Sequence, residues 1–163
     1  MIMTANYLVF KLDKNEYAIQ LGYVKKVSQI VEISPIPKGP KNLIGLINVH
    51  GEITPVINLR YILGVKEREI NLNDQLIIIE SNKSGLAFVV DQVSQIVPAH
   101  DENSIPVQNI VPDAKFFERV IKEEEGFIYC INPDTLLTKN ELQKINRKVK
   151  EEYEKIERQI IAS

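Results

Sequence analysis

Leu43-Ile44-Gly45-Leu46-Ile47-Asn48-Val49-His50-Gly51-Glu52-Ile53-Thr54-Pro55-Val56-Ile57-Asn58-Leu59-Arg60 holds two apolar runs parted by a dipeptide. Leu43 to Val49 and Glu52 to Leu59 have strand length, and Gly51 between them can take the positive φ of a tight hairpin turn. Pro55 cannot donate to a ladder, so the second run is expected on an edge or at a bulge. Working outward, Tyr7 to Leu12 and Glu16 to Leu21 read as strands around a three-residue loop, Asp13-Lys14-Asn15. Pro35, Pro37 and Pro40 make Ser34 to Lys41 an edge or a loop. Asp74 to Glu80 contains Leu-Ile-Ile-Ile, which suits a strand buried on both faces. Ser81 to Gly85 is a turn, Leu86 to Val90 the returning strand, and Val93 to Val97 continues it. Asp101 to Asp113 reads as a loop. Phe116 to Ile121 and Gly126 to Ile131 pair across the acidic turn Glu123-Glu124-Glu125.

Composition agrees with a mainly β chain. Among 163 residues there are 24 Ile and 15 Val against 13 Leu and 6 Ala, and β-branched side chains suit a pleated surface better than a helix. Sliding the chain on itself by 69 residues lays Ala18 to Val27 over Ala87 to Ile96 with apolar positions coinciding. A slide of 66 aligns two copies of Val-Ser-Gln-Ile-Val, at 27 and 93, but loses the flanking strand pattern. Two similar β units of about sixty residues follow, expected to close into barrels, which removes exposed edges, and to share a hydrophobic seam. The expected division is 13–72 for the first barrel and 73–138 for the second, with the N-terminal strand shared.

Residues 139–163 differ in kind. They contain no Gly or Pro, and Leu142, Ile145, Val149, Tyr153, Ile156 and Ile160 keep one helical face apolar. The segment carries seven Lys and Arg against five Glu. A long amphipathic helix is expected, its first turns docked on the barrels and its last turns projecting, with self-association through it as a further route.

Little in the sequence points to catalysis. Cys130 is the one cysteine, so no intramolecular disulfide forms, and with His50 and His100 it makes a poor zinc set. Its place between Tyr129 and Ile131 in a strand pattern suggests a buried, inert thiol, which weighs against a small hydrolase built on it. No cofactor or metal is expected. The net charge of −2 gives no footprint for nucleic acid. No stretch approaches the ~20 apolar residues of a membrane span. Met1 to Leu12 lacks a basic leader, so a cytoplasmic, non-enzymatic binding protein is the expectation.

The stretch from Leu43 to Arg60 resembles the signature of the CheW family of chemotaxis coupling proteins, I-x-G-[VL]-[IT]-N-L-R-G-x-[IV]-x-P-[VI]-[VI]-D-L-R. Tyr7-Leu8-Val9-Phe10, Glu16-Tyr17-Ala18-Ile19, Phe88-Val89-Val90-Asp91-Gln92-Val93 and Asp134-Thr135-Leu136-Leu137 agree with it, so the likeness covers about residues 6 to 140. It implies two five-stranded SH3-like barrels around a shared core. It also implies an adaptor that bridges the cytoplasmic tip of methyl-accepting chemoreceptors to the regulatory domain of a CheA-type histidine kinase, in chemotaxis or, as the alternative, in a chemosensory pathway controlling another output. Carried over by position, Val24, Lys26, Val27, His50 and Ile96 would face the receptor, and Ile33, Ile36, Leu43 and Gly45 the kinase. Lys26, His50 and Asn58 depart from the family's usual Glu, Arg and Asp.

Overall fold

The computed structural model describes residues 4–111 and 114–162. The start of the Met1 to Leu12 stretch, residues 112 and 113 of the expected loop, and residue 163 lie outside them. Among the described residues eleven strands form two sheets. Strands β1 (Ala5–Leu12), β2 (Asn15–Gln20), β8 (Gln92–Ala99), β9 (Ser104–Pro106), β10 (Phe117–Glu123) and β11 (Gly126–Ile131) make one, in the order β8-β1-β2-β11-β10-β9. Strands β3 (Val24–Gln29), β4 (Leu43–Val49), β5 (Glu52–Ile57), β6 (Gln75–Ser81) and β7 (Ser84–Val90) make the other, in the order β3-β6-β7-β5-β4. A short helix, α1 (Leu59–Leu63), follows β5, and α2 (Lys139–Ala162) closes the chain.

The two sheets are one design used twice. The 69-residue slide carries β2 onto β7 and β3 onto β8, and each pair flanks the point where the chain crosses from one sheet to the other. Each edge strand has a bulge at the matching place: Lys25 in β3 and Ser94 in β8 have no opposite residue. Each sheet has one parallel pair, Ala18 beside Cys130 in the first and Ala87 beside Val56 in the second. Hairpin β4–β5 matches β10–β11 at an offset of 74, since Leu43 faces Ile57 as Phe117 faces Ile131. Even β9 has a counterpart in the single bridge between Ser34 and Leu46.

This order corrects the expected division at residue 72. The second sheet takes residues 24–90 entire, and the first takes both ends of the chain, 5–20 and 92–131. Val93 to Val97 therefore does not continue the preceding strand; Asp91 breaks it and β8 pairs with β1 in the other sheet. Among the described residues neither ladder closes on itself, so the expected barrels are open SH3-like sheets. Alternate strand faces then yield three cores. Tyr7, Val9, Ala18 and Cys130 fill one sheet's concave side, Ile47, Val56, Leu76 and Ala87 fill the other's, and Phe10, Ile19, Ile57, Ile77, Ile79 and Phe88 meet in the seam.

Local chemistry accounts for the remaining differences. Asp13 stands at φ 56°, and Leu12 faces Asn15, so the first loop has two residues rather than three. Asn82 and Lys83, at φ 51° and 65°, likewise shrink the expected five-residue turn to two. Asn58 ends β5 early because its Oδ1 accepts the Tyr61 N–H at 3.2 Å and caps α1. Pro55 lies in a strand that is interior only from Val56 onward, so its missing N–H costs no ladder bond on the β7 side. The expected Asp101–Asp113 loop contains β9 and a 3-10 turn at Val107–Asn109.

Candidate functional site

The crossing points put the two edge strands, β3 and β8, at equivalent places beside the seam. Among the expected receptor-facing residues, Val24, Lys26 and Val27 lie on β3 and Ile96 on β8. Val27 and Ile96 are repeat mates. Val24 and Val27 are half-buried against the seam core, whereas Ile96 is 55 % exposed. Lys26 is exposed, and among the described residues it has no ion-pair partner; its neighbour Lys25 pairs with Glu80 at 3.3 Å. The bulges blunt both edges against indiscriminate strand pairing. What remains on these two edges is a pair of apolar footholds, Val27 and Ile96, and one uncommitted cation, Lys26.

His50 sits elsewhere. It is exposed at the tip of the β4–β5 hairpin, with φ 51°, and the Gly51 N–H donates to Asn48 Oδ1 at 2.8 Å. In sheet order β6, β7 and β5 stand between that tip and β3, so the structure does not bring His50 into the Lys26 row.

The expected kinase-facing residues divide differently. Ile33 is half-buried against the second sheet's concave core and Ile36 against the seam, both on the proline-rich connection between β3 and β4. Leu43 is buried in the seam core. Gly45 is buried too, and a Cβ there would run into the carbonyl of Ser34 and come within 3.1 Å of Ile33 Cγ2. Its lack of a side chain therefore serves the chain's own connection, which crosses β4 at that point. Leu43 and Gly45 offer no side chain to a partner, and the exposed parts of this edge are the neighbouring proline-rich turns.

One arrangement had a sequence signal that went unused. Arg60, the last residue of the opening motif, is buried, and its guanidinium reaches Asp13 Oδ1 at 2.9 Å, Asp91 Oδ1 at 2.8 Å and the Lys66 carbonyl at 2.6 Å. Arg68 joins Asp91 to Asp74. Asp91 also accepts the Asp13 N–H at 2.7 Å. Burial opposes ionisation of Asp91, but hydrogen bonds from Arg60 and the Asp13 amide outweigh it and hold its carboxyl below the usual range. The cluster clasps the β1–β2 turn of one sheet to α1 of the other. At the 74-residue offset from Arg60 stands Asp134, which accepts from Ser81 at 2.6 Å and Tyr23 at 3.0 Å and so clasps the reciprocal hairpin. A charged residue ending a strand motif, in Asn-Leu-Arg and again in Val-Val-Asp, was the available hint.

Cys130 is fully buried in the concave core of the first sheet. Burial first, then the charge of Glu118, pushes its thiol up to about 12, which leaves the hydrolase alternative without a thiolate. Among the described residues no three His, Cys, Asp or Glu side chains converge as metal ligands. Among the described residues no helix is long and apolar enough to cross a membrane.

Comparison with known proteins places this geometry. Residues 6–141 match the family model of the CheW-like domain. The chain is 28 % identical over 139 residues to the chemotaxis protein CheW of Bacillus subtilis, covering 83 % of this chain and 88 % of that one. It is 29 % identical over 131 residues to CheW of Thermotoga maritima, covering 80 % and 85 %. The crystal structure of the scaffolding protein TtCheW from Thermoanaerobacter tengcongensis superposes with a TM-score of 0.76 at 28 % identity, over 85 % of this chain and 95 % of that one.

Proposed function

Because this chain belongs to the CheW-like family, we propose that it is a chemotaxis scaffold that couples chemoreceptors to a CheA-type histidine kinase without chemistry of its own. The receptor's cytoplasmic tip, a helical hairpin, lies along the rim formed by β3 and β8; the kinase regulatory domain meets the β3–β4 connection at the far edge of the second sheet. One observation carries the reading: two repeat-related edge strands present Val27 and Ile96 beside the seam. Apolar anchors in such a rim suit the face of a partner helix. A rigid double sheet keeps the two contacts at a fixed spacing, which is what a coupling protein requires.

Charge decides which receptor fits. Lys26 puts a positive charge on this edge where the family's usual residue is Glu. Complementary charge acts mainly on specificity and association rate, so the cognate receptor tip is more acidic at the matching position. The test titrates the chain and its Lys26→Glu variant with fragments of the cognate and of a standard receptor tip. Binding to the cognate tip should weaken and binding to the standard tip improve, with the difference shrinking at high salt. Equal affinity of both proteins for both tips would place Lys26 outside the interface.

A further inference from the structure

The repeat makes a comparison possible between two surfaces that should be alike. On the second sheet, α2 packs against β5, and Pro55 there is buried. The repeat mate of Pro55 is Tyr129 on β11, and that of Ile53 is Phe127. No such cover lies on β11: Tyr129 is 39 % and Phe127 56 % exposed. These are not stray surface side chains. Tyr129 lies 6.3 Å from Tyr17 and 5.7 Å from Phe117, ring centre to ring centre, so the ledge extends the seam core outward.

We propose that this aromatic ledge on β11 docks an amphipathic helix of a partner protein, one whose apolar stripe is flanked by Lys or Arg. The inference goes beyond the receptor and kinase surfaces, which lie on other edges. Three observations fix the occupant's chemistry. The equivalent face of the second sheet is already filled by a helix, and its docking half, residues 139–150, has five Lys and Arg against one Glu. The concavity beside the ledge is lined by Glu16, Glu123 and Glu125 against the single cation Lys14. Among the described residues none of those three glutamates takes part in an ion pair. Burial, then the charge of Glu16, raises the Glu123 pKa. A basic flank would relieve that repulsion, and a Lys or Arg laid over Tyr129 or Phe127 would add a cation–π contact.

The test uses the full chain and a fluorescent, end-capped synthetic peptide with the sequence of residues 139–153, which has the required pattern. Saturable binding is expected, weakened at least about tenfold by Phe127→Ala and by Glu16→Lys/Glu123→Lys, and reduced by salt. Phe127→Ala removes an exposed ring, so its melting temperature should stay near that of the parent. No saturable binding would overturn the proposal. So would binding indifferent to both variants, which would mean exchange with α2 on the second sheet. Self-association of the chain abolished by Phe127→Ala would assign the ledge to a second copy and overturn the partner helix.

Discussion

Gly45 shows how a single position can be legible in type and misjudged in purpose. A glycine in a strand marks a close approach of another backbone, and the family resemblance implies that the kinase makes it. The backbone is instead that of Ser34, brought over β4 by a connection whose three prolines keep it irregular. Gly45→Ala should therefore destabilise the fold by about 1–3 kcal/mol, the usual cost of overpacking, with kinase binding falling alongside the melting temperature. A variant of unchanged melting temperature that loses only kinase binding would return Gly45 to the interface. Leu43 and Ile33 teach the same lesson: strand periodicity marks which residues share a face, but whether that face meets the chain's own core or a partner depends on distant segments. Ile96 was named only through the family resemblance; it is exposed, whereas its repeat mate Val27 packs against the seam.

At the scale of elements, α2 follows the sequence closely. Its apolar stripe is continuous, yet Ile145 is fully buried with Leu142 and Val149 packed around it, while Tyr153 and Ile156 are 49 % and 51 % exposed. Thr138 caps the start, accepting the Glu141 N–H at 3.1 Å as Glu141 accepts the Thr138 N–H at 2.9 Å, a reciprocal capping box. Glu141 also accepts from Asn42 at 2.8 Å and pins the first turn to the second sheet. Each buried aliphatic side chain there is worth about 2 kcal/mol, and the last three turns bury little. Truncation after Val149 should leave the melting temperature within about 2 °C of the parent; a fall of ten degrees would mean that the distal turns belong to the fold. The hairpins were harder to bound. Their tightness rests on positive φ at Asp13, His50, Asn82 and Lys83, and of these only the Asx positions carry the usual turn chemistry.

For the whole molecule, the duplication was visible in a ten-residue match, but the exchange of edge strands was not. Local pattern specifies each strand, while the sheet it joins is decided by burial of the seam and by Asp91, where the chain changes sheets. The two clasps, Arg60 to Asp13 and Asp134 to Ser81, hold that exchange in place. Asp74 and Asp91 keep folded pKa values below their ordinary range: burial opposes this, and hydrogen bonds from Arg68 and Arg60 prevail. Their contribution is thus complete above the ordinary carboxylate pKa and is lost as pH falls through it toward the depressed folded values. Arg60→Gln should lower the melting temperature at pH 7 by about 4–8 °C, for roughly 2 kcal/mol in a chain of this size, and the gap should narrow below about pH 4. A gap that is constant across that range would show that the clasp is not electrostatic.

On the proposed function, one double sheet carries two partners at once. Light scattering coupled to size-exclusion chromatography, on the chain mixed with a CheA-type regulatory domain and a receptor-tip fragment, measures this directly. A single species holding all three components is the predicted result, lost for the receptor arm alone when Ile96 is changed to Lys. Two binary complexes that displace one another, or a chain that elutes free of both, would contradict it.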